Sequence, residues 1–294
     1  MTLPPCSLDA FTPLAYWVHN LSPDIIRFTD KLAIRWYGLA YIMGFIVAAV
    51  LLRLYYKRGR SPVTPEQSES LMIAMVLGVF IGGRLGYMLL YDLPAFLSNP
   101  LLFFRFWEGG MASHGGFIGV LIAVIWFTRS AKVPFLRLAD IIVTLAPPGL
   151  FFGRIANFIN GELWGRVTTE PWAVLFPGSP MVDKAPAVFV ESLGTFINPR
   201  HPSQIYEAAL EGLLLFIYTQ WRFWRRNPAK ACNGQLAGEF LIGYALVRIF
   251  CEYFREPDAD LIAGLSRGSF YSIFFVVAGT GIIVFARARR NTKQ

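Results

Sequence analysis

The charges of the chain cut it into apolar stretches of nearly constant length. Arg35 to Arg53 encloses seventeen uncharged residues, Glu108 to Arg129 encloses twenty, and Arg267 to Arg287 encloses nineteen. A helix needs about 17–25 apolar residues to cross a bilayer, so these windows predict membrane spans. Four more windows of that length are interrupted by single charges: 68 to 91 by Arg84, 139 to 160 by Asp140 and Arg154, 203 to 221 by Glu207 and Glu211, and 236 to 254 by Glu239, Arg248 and Glu252. The predicted architecture is an all-α integral membrane protein with seven transmembrane helices. A helix in lipid is apolar all round, so periodicity adds little.

Loop charges give the direction, because Lys and Arg collect on the inner side of a membrane. The loops near 54–67, 129–137 and 222–235, with the tail after 286, hold fourteen of the 27 positive residues. The alternate segments hold eight: Arg27, Lys31, Arg105, Arg166, Lys184, Arg200, Arg255 and Arg267. Count and alternation both predict an outside N-terminus and an inside C-terminus. Residues 1–294 read as a single polytopic membrane domain. The outside segment 161–202, between spans four and five, carries six prolines. Loops of that length are uncommon unless they fold, and a folded head over the outer leaflet is expected. The opening MTLPPCSLDA lacks the positive region and apolar core of a signal peptide.

Composition narrows the class. Apolar residues make up 55% and charged residues 16%, against about 45–50% and 25% in soluble domains, which disfavours a soluble bundle. The net charge of +8 lies mostly in the inner loops, so nucleic acid is not an expected partner. Cys6, Cys232 and Cys251 are scattered, and neither a disulfide framework, a zinc site nor a cofactor is expected. Cys6 reads as an ordinary tail cysteine.

The five remaining positives, Arg35, Arg53, Arg84, Arg154 and Arg248, are all arginine and all lie within spans. Arg35 and Arg53 sit at span ends and can snorkel. Arg84, Arg154 and Arg248 lie deeper, where a cation costs about 2.5 kcal/mol or more. The planar guanidinium grips phosphate or carboxylate in bidentate fashion and keeps its charge. The most available anion at that depth is a phospholipid headgroup. Arg154 heads the densest polar cluster, Gly153-Arg154-Ile155-Ala156-Asn157-Phe158-Ile159-Asn160-Gly161-Glu162-Leu163-Trp164-Gly165-Arg166. On a helix Arg154 and Asn157 share a face. Upstream, Pro147-Pro148-Gly149 predicts a break or kink. Tyr244, Arg248 and Glu252 recur at intervals of four and form one stripe that Arg255 continues, with Glu252 the natural partner of Arg248.

His114 follows Gly109-Gly110 and precedes Gly115-Gly116. Imidazole can accept a proton near neutrality, which makes His114 a candidate general base. Arg35-Trp36-Tyr37-Gly38 places aromatic rings and the Tyr37 hydroxyl at the outer interface.

These residues carry a resemblance to the prolipoprotein diacylglyceryl transferases of the bacterial inner membrane. The matching pieces are RWYGLAY (35–41), GGRLGY (82–87), SHGGFIGV (113–120), GRIANFINGELWGR (153–166), RHPSQIYEAALEG (200–212) and GYALVRIFCEYFREPD (243–258), in family order. The resemblance implies transfer of the diacylglyceryl group from phosphatidylglycerol, a membrane lipid, to the lipobox cysteine of prolipoprotein signal peptides, without metal. It implies a multi-pass inner-membrane protein with a periplasmic N-terminus, a cytoplasmic C-terminus, a periplasmic head and an active site toward the periplasmic leaflet. The family's functional positions fall on Tyr37, His114, Arg154, Asn157, Glu162, Gly165, Tyr244, Arg248 and Glu252. The resemblance makes Arg154 the lipid-binding arginine and gives Arg248 an essential part.

Two other classes compete. An anion or lipid transporter suits arginines on kinked helices but predicts repeats, which are not seen. A retinal pump needs a lysine inside a span, and every lysine lies in a loop.

Overall fold

The computed structural model describes residues 16–29, 33–105, 109–227, 231–257 and 260–291. Cys6, the opening segment, Lys31, Glu108, Lys230, Asp258 and Lys293 lie outside them. Each of the seven apolar windows holds helix. The helices are α1 (Trp36–Lys57), α2 (Pro65–Leu90), the short α3 (Leu93–Ser98), α4 (Ser113–Ser130), α5 (Phe135–Asn160), α6 (Ser203–Glu207), α7 (Leu215–Arg225), α8 (Gln235–Glu252) and α9 (Arg267–Asn291). A π-helical segment, Ala208–Leu214, joins α6 to α7 in one rod. Four helices, Trp36–Lys57, Pro65–Leu90, Phe135–Asn160 and Arg267–Arg289, are long and apolar enough to cross a membrane, and His114–Ser130 is a shorter apolar helix. The mostly helical chain thus has the build of a membrane protein. Large apolar side chains such as Phe117, Ile122, Trp126, Val277 and Phe285 face outward, as lipid contact requires.

Local sequence sets the helix ends. Thr64 and Gln67 form a capping box at the start of α2, with Pro65 in its first turn, which satisfies amide groups the helix leaves unpaired. Gly161 ends α5 in the left-handed conformation at φ 65°, which glycine adopts without steric cost. Of the break or kink expected at Pro147 and Pro148, the break does not occur: α5 runs through both, and both are buried. Pro148 has no N–H for the Thr144 carbonyl. Gln220 of α7 supplies that donor instead, its Nε2 lying 3.2 Å from Thr144 O, so a neighbouring helix repairs the ladder.

Glycines bring helices into backbone contact. A Cβ at Gly78, Gly82 or Gly86 of α2 would come within 2.3–2.7 Å of the backbone of Gly119 or Gly115 in α4. Small residues four apart on both helices make this antiparallel seam, the usual device for close packing in lipid. Gly238 of α8 and Gly279 of α9 meet in the same way. Gly212 lies against Phe151 of α5, which draws the π-segment up to the helix carrying Arg154.

Residues between α5 and α6, joined by β1 from ahead of α1, fold into a small β unit. Strands β1 (Trp17–Val18), β4 (Val174–Leu175) and β7 (Pro199–Arg200) form a sheet in the order β1-β4-β7, parallel then antiparallel. Strands β2 (Asp24–Arg27) and β3 (Ala33–Arg35) form a hairpin that leads into α1, and β5 (Val188–Val190) and β6 (Thr195–Ile197) form another. Leu175, Val190 and Ile197 make the small core of this unit.

Candidate active site

The site is a buried cluster of arginines and glutamates held by three elements. Arg154 on α5 reaches Glu207 Oε2 at 3.1 Å through Nη1 and Glu211 Oε2 at 3.0 Å through Nη2. Arg248 on α8 reaches Glu207 Oε1 at 2.7 Å and Glu211 Oε1 at 3.2 Å, both through Nη1, and its Nη2 donates to Glu252. Arg255, one turn beyond Glu252, donates to Glu207 Oε1 at 3.1 Å. Glu207 and Glu211 stand four apart and are fully buried. They read in the sequence as interruptions of an apolar window. Their signal was the spacing itself, since two carboxylates on one helix face in lipid demand cations.

The cluster answers what the deep arginines are for. Charges buried this far are tolerated only when each is met by an opposite charge in good geometry. Arg154, Arg248 and Arg255 face Glu207, Glu211 and Glu252. The Arg154 and Arg248 side chains keep 17% and 12% of their surface accessible. Tyr244, one turn before Arg248, lies in the electrostatic field of Glu211, Arg248, Arg154 and Glu207, and its ring packs on Phe240 and Phe275.

A second rung adjoins the first. Asn157 and Asn160 both donate to Glu162 Oε1, at 2.8 and 3.2 Å. Gln204, one turn before Glu207, donates to the Glu162 carbonyl at 2.6 Å. Gly165 sits at a junction. Its N–H donates to the His201 carbonyl at 2.9 Å, and its carbonyl accepts from Arg200 at 3.0 Å. A Cβ there would lie 2.5 Å from both the His201 and the Phe254 carbonyl oxygens. Only glycine fits, and Gly165 ties the β unit to Arg255, just beyond the end of the helix bearing Arg248 and Glu252. Burial holds the His201 imidazole below its ordinary pKa, with Glu170 opposing.

His114 stands at the start of α4, exposed, with its ring 5.6 Å from that of Tyr271 on α9. One turn earlier on α9, a Cβ at Gly268 would lie 2.2 Å from Glu252 Oε1 and 2.8 Å from Arg248 Nε. The first turn of α9 therefore touches both His114 and the arginine cluster. Tyr37 lies at the start of α1 with its ring 5.4 Å from that of Tyr41. Arg35 pairs with Asp24 and Arg53 with Glu69, all but Asp24 exposed, as expected of span ends.

Arg84 departs from the sequence expectation of an anion site. Its guanidinium donates to main-chain carbonyls of Leu102 at 2.6 Å, Arg105 at 3.0 Å, Phe103 at 3.1 Å and Gly110 at 3.2 Å, and to that of Gly109. Through these carbonyls the arginine clasps the segment that leads to His114. Among the described residues, no group of three or more His, Cys, Asp or Glu is placed to hold a metal.

Comparison with known proteins gives the same direction. The profile of the prolipoprotein diacylglyceryl transferase family matches residues 23–285. This chain belongs to that family. Among relatives named phosphatidylglycerol–prolipoprotein diacylglyceryl transferase, that of Photorhabdus laumondii is 45% identical over 282 residues, covering 93% of this chain and 95% of its own length. Those of Proteus mirabilis (45% over 276 residues, 90% and 92%) and Zymomonas mobilis (46% over 259 residues, 87% and 85%) are similar. The matched region spans the first six apolar windows, nearly all of the seventh, and the β unit apart from β1.

Proposed function

We propose that this protein transfers the sn-1,2-diacylglyceryl group of phosphatidylglycerol to the lipobox cysteine thiol of prolipoproteins, forming a thioether and releasing glycerol phosphate. This is the first step of bacterial lipoprotein maturation. The observation that carries the reading is the convergence of Arg154 and Arg248, from different helices, on the one carboxylate pair Glu207 and Glu211. Two guanidinium groups held side by side are what a phosphoester leaving group needs. The names of the similar transferases supply the two substrates.

Attack of sulfur on the glyceryl carbon breaks a carbon–oxygen bond and leaves a phosphate monoester, on which negative charge grows. Fixed cations in a site sheltered from water stabilise that charge, and removing one such contact costs about 2.7–4 kcal/mol. Arg154 and Arg248 take this role, oriented from behind by Glu207, Glu211 and Glu252. Their pairing in advance means they need little reorganisation when the charge develops. The thiol must become thiolate, and an unperturbed cysteine titrates near about 8.5. His114 accepts the proton, directly or through water. Asn157, Glu162, Tyr244 and Tyr37 bind the lipid, with Gly165 setting the approach of the head.

The same reading gives the chain seven spans in the bacterial inner membrane, a periplasmic N-terminus, a cytoplasmic C-terminus and a periplasmic head at 161–202. It is supported by the alternation of loop charge. The test is direct. Purified protein in phosphatidylglycerol vesicles is given a lipobox peptide, and the product is weighed by mass spectrometry. Thioether-linked diacylglycerol on the cysteine is the expected product, and an unmodified peptide would overturn the reading. A His114→Gln enzyme with an unchanged pH profile would take the histidine out of the proton path.

A further inference from the structure

Among the described residues, strands β2 and β3 pair only with each other, and the hairpin runs straight into α1 at Trp36. The cross-strand partners are Asp24 with Arg35, Ile26 with Ile34, and Arg27 with Ala33. Successive residues of a strand point to opposite faces, so Ile26 and Ile34 share one face and Arg27 lies on the other. Simple alternation would put Asp24 with the isoleucines. The register shifts between Asp24 and Ile26, and a bulge of this kind turns Asp24 to the arginine side. The contacts agree with that assignment: Arg27 Nε donates to Asp24 Oδ2 at 2.8 Å, and Arg35 Nε lies 3.4 Å from Asp24 Oδ1.

The hairpin is therefore amphipathic. Ile26 and Ile34 are 51% and 48% exposed, and Phe28 and Trp36, two residues beyond each, are exposed as well. On the other face the Asp24 carboxylate is nearly covered, while the side chains of Arg27 and Arg35 are 64% and 71% accessible. A two-stranded hairpin is marginal in water unless its apolar face packs on something. The position of the hairpin names the surface. α1 is long and apolar enough to cross a membrane, and its Tyr41, Ile42, Ile46 and Val50 face outward. Trp36 opens that helix, and its N–H donates to the Pro23 carbonyl at 3.1 Å, which ties the base of the hairpin to the helix end. The apolar face thus lies where the lipid-facing surface of α1 stops.

We propose that the β2–β3 hairpin is an interfacial anchor, with Ile26, Phe28, Ile34 and Trp36 among the outermost acyl segments and Arg27 and Arg35 on the phosphates of anionic phospholipids. Amphipathic elements that lie in the interface carry apolar side chains on one face and cations on the other. Asp24 orients both guanidinium groups and neutralises one of the two charges, so the face keeps a net positive charge, which an anionic leaflet attracts. The exposed remainder of each fork suits phosphate oxygens. Tryptophan at the helix start belongs at the same depth. The anchor fixes the depth of Tyr37, the second residue of α1. This placement requires α1 to cross a membrane and does not depend on the transfer reaction.

The test places nitroxide labels one at a time at Ile26→Cys, Arg27→Cys, Phe28→Cys and Ile34→Cys in the full chain, with Cys6→Ser, Cys232→Ala and Cys251→Ala as background. The protein is held in vesicles of phosphatidylcholine with phosphatidylserine. Collisions with oxygen, which concentrates among the acyl chains, are compared with collisions with a polar nickel complex, which stays in water. Oxygen should dominate at 26, 28 and 34 and the nickel complex at 27, so the ratio inverts between neighbouring positions. Phe28 stands outside the paired strands, so its label reports depth even where a label at 26 or 34 disturbs the pairing. Dominance of the nickel complex at 28 and 34 would overturn the proposal. Labels shielded from both reagents would also overturn it, because protein would then cover the face. In vesicles of phosphatidylcholine alone, or with Arg27→Gln and Arg35→Gln combined, the oxygen preference at 28 should fall. A preference unchanged in both cases would overturn the assignment of the arginines to anionic phosphates.

Discussion

Arg154 and Arg248 share the carboxylate of Glu207, which holds one arginine at each oxygen, at 3.1 and 2.7 Å. Two helices distant in sequence are thereby locked at the depth where the chemistry is proposed. Replacing Glu207 by Gln removes a charge from a fully buried group that also meets Arg255. Breaking such a buried network costs about 3–5 kcal/mol. A lower thermal midpoint in detergent is expected, together with loss of transfer. A variant as stable as the wild type would show that the carboxylate does not hold the arginines.

Gly268 offers a subtler probe. The backbone of α9 lies directly on the Arg248–Glu252 pair, and even a methyl group there would stand 2.2 Å from Glu252 Oε1. In Gly268→Ala the glutamate has to move and release Arg248. Overpacking costs about 1–3 kcal/mol. A loss of transfer of at least tenfold is expected, and pairing it with Glu252→Asp, which shortens the clashing side chain, should give less than the product of the two single losses. Multiplying losses would separate Gly268 from the pair.

Arg84 should behave unlike the other deep arginines. Its fork is filled by main-chain carbonyls at 2.6–3.2 Å, and lysine has fewer donors and no fork to replace it. Arg84→Lys is expected to lower the thermal midpoint by leaving carbonyls unpaired, at about 1–3 kcal/mol. The KM for lipid should hold. A raised KM with an unchanged midpoint would restore Arg84 as an anion site.

His201 gives a pH prediction. Burial disfavours its charged form and holds its pKa below the ordinary value, with Glu170 as the weaker opposing influence. In the unfolded chain it titrates near about 6.5. Below that pH the unfolded state binds the proton more readily, so stability falls as the solution is acidified and is unaffected above it. Thermal midpoints of the wild type should therefore drop more between pH 7.5 and pH 5.5 than those of His201→Gln. Parallel curves would contradict this.

The helices were largely legible in the sequence, because charges are costly in lipid and mark where each rod begins and ends. Arg154, Asn157, Glu162, Arg248 and Glu252 were legible for the same reason. Glu207 and Glu211 were legible only as a spaced pair that demands cations, since their partners lie 37 to 57 residues away and no local pattern names a partner that distant. Gly78, Gly82 and Gly86 spell a packing seam that only its match to Gly115 and Gly119 reveals. The continuity of α5 through Pro147 and Pro148 rests in part on Gln220, a donor from another helix. The pairing of β1 with β4 joins residues 17 and 174, a contact set by the whole fold.

The central claim is that Arg154 and Arg248 hold the departing phosphate. It is tested most directly by single-turnover transfer from phosphatidylglycerol with Arg154→Lys, which keeps the charge and removes the fork. A fall of about a hundredfold or more in rate is expected, in line with the loss of one transition-state contact. A rate close to that of the wild type would contradict the account.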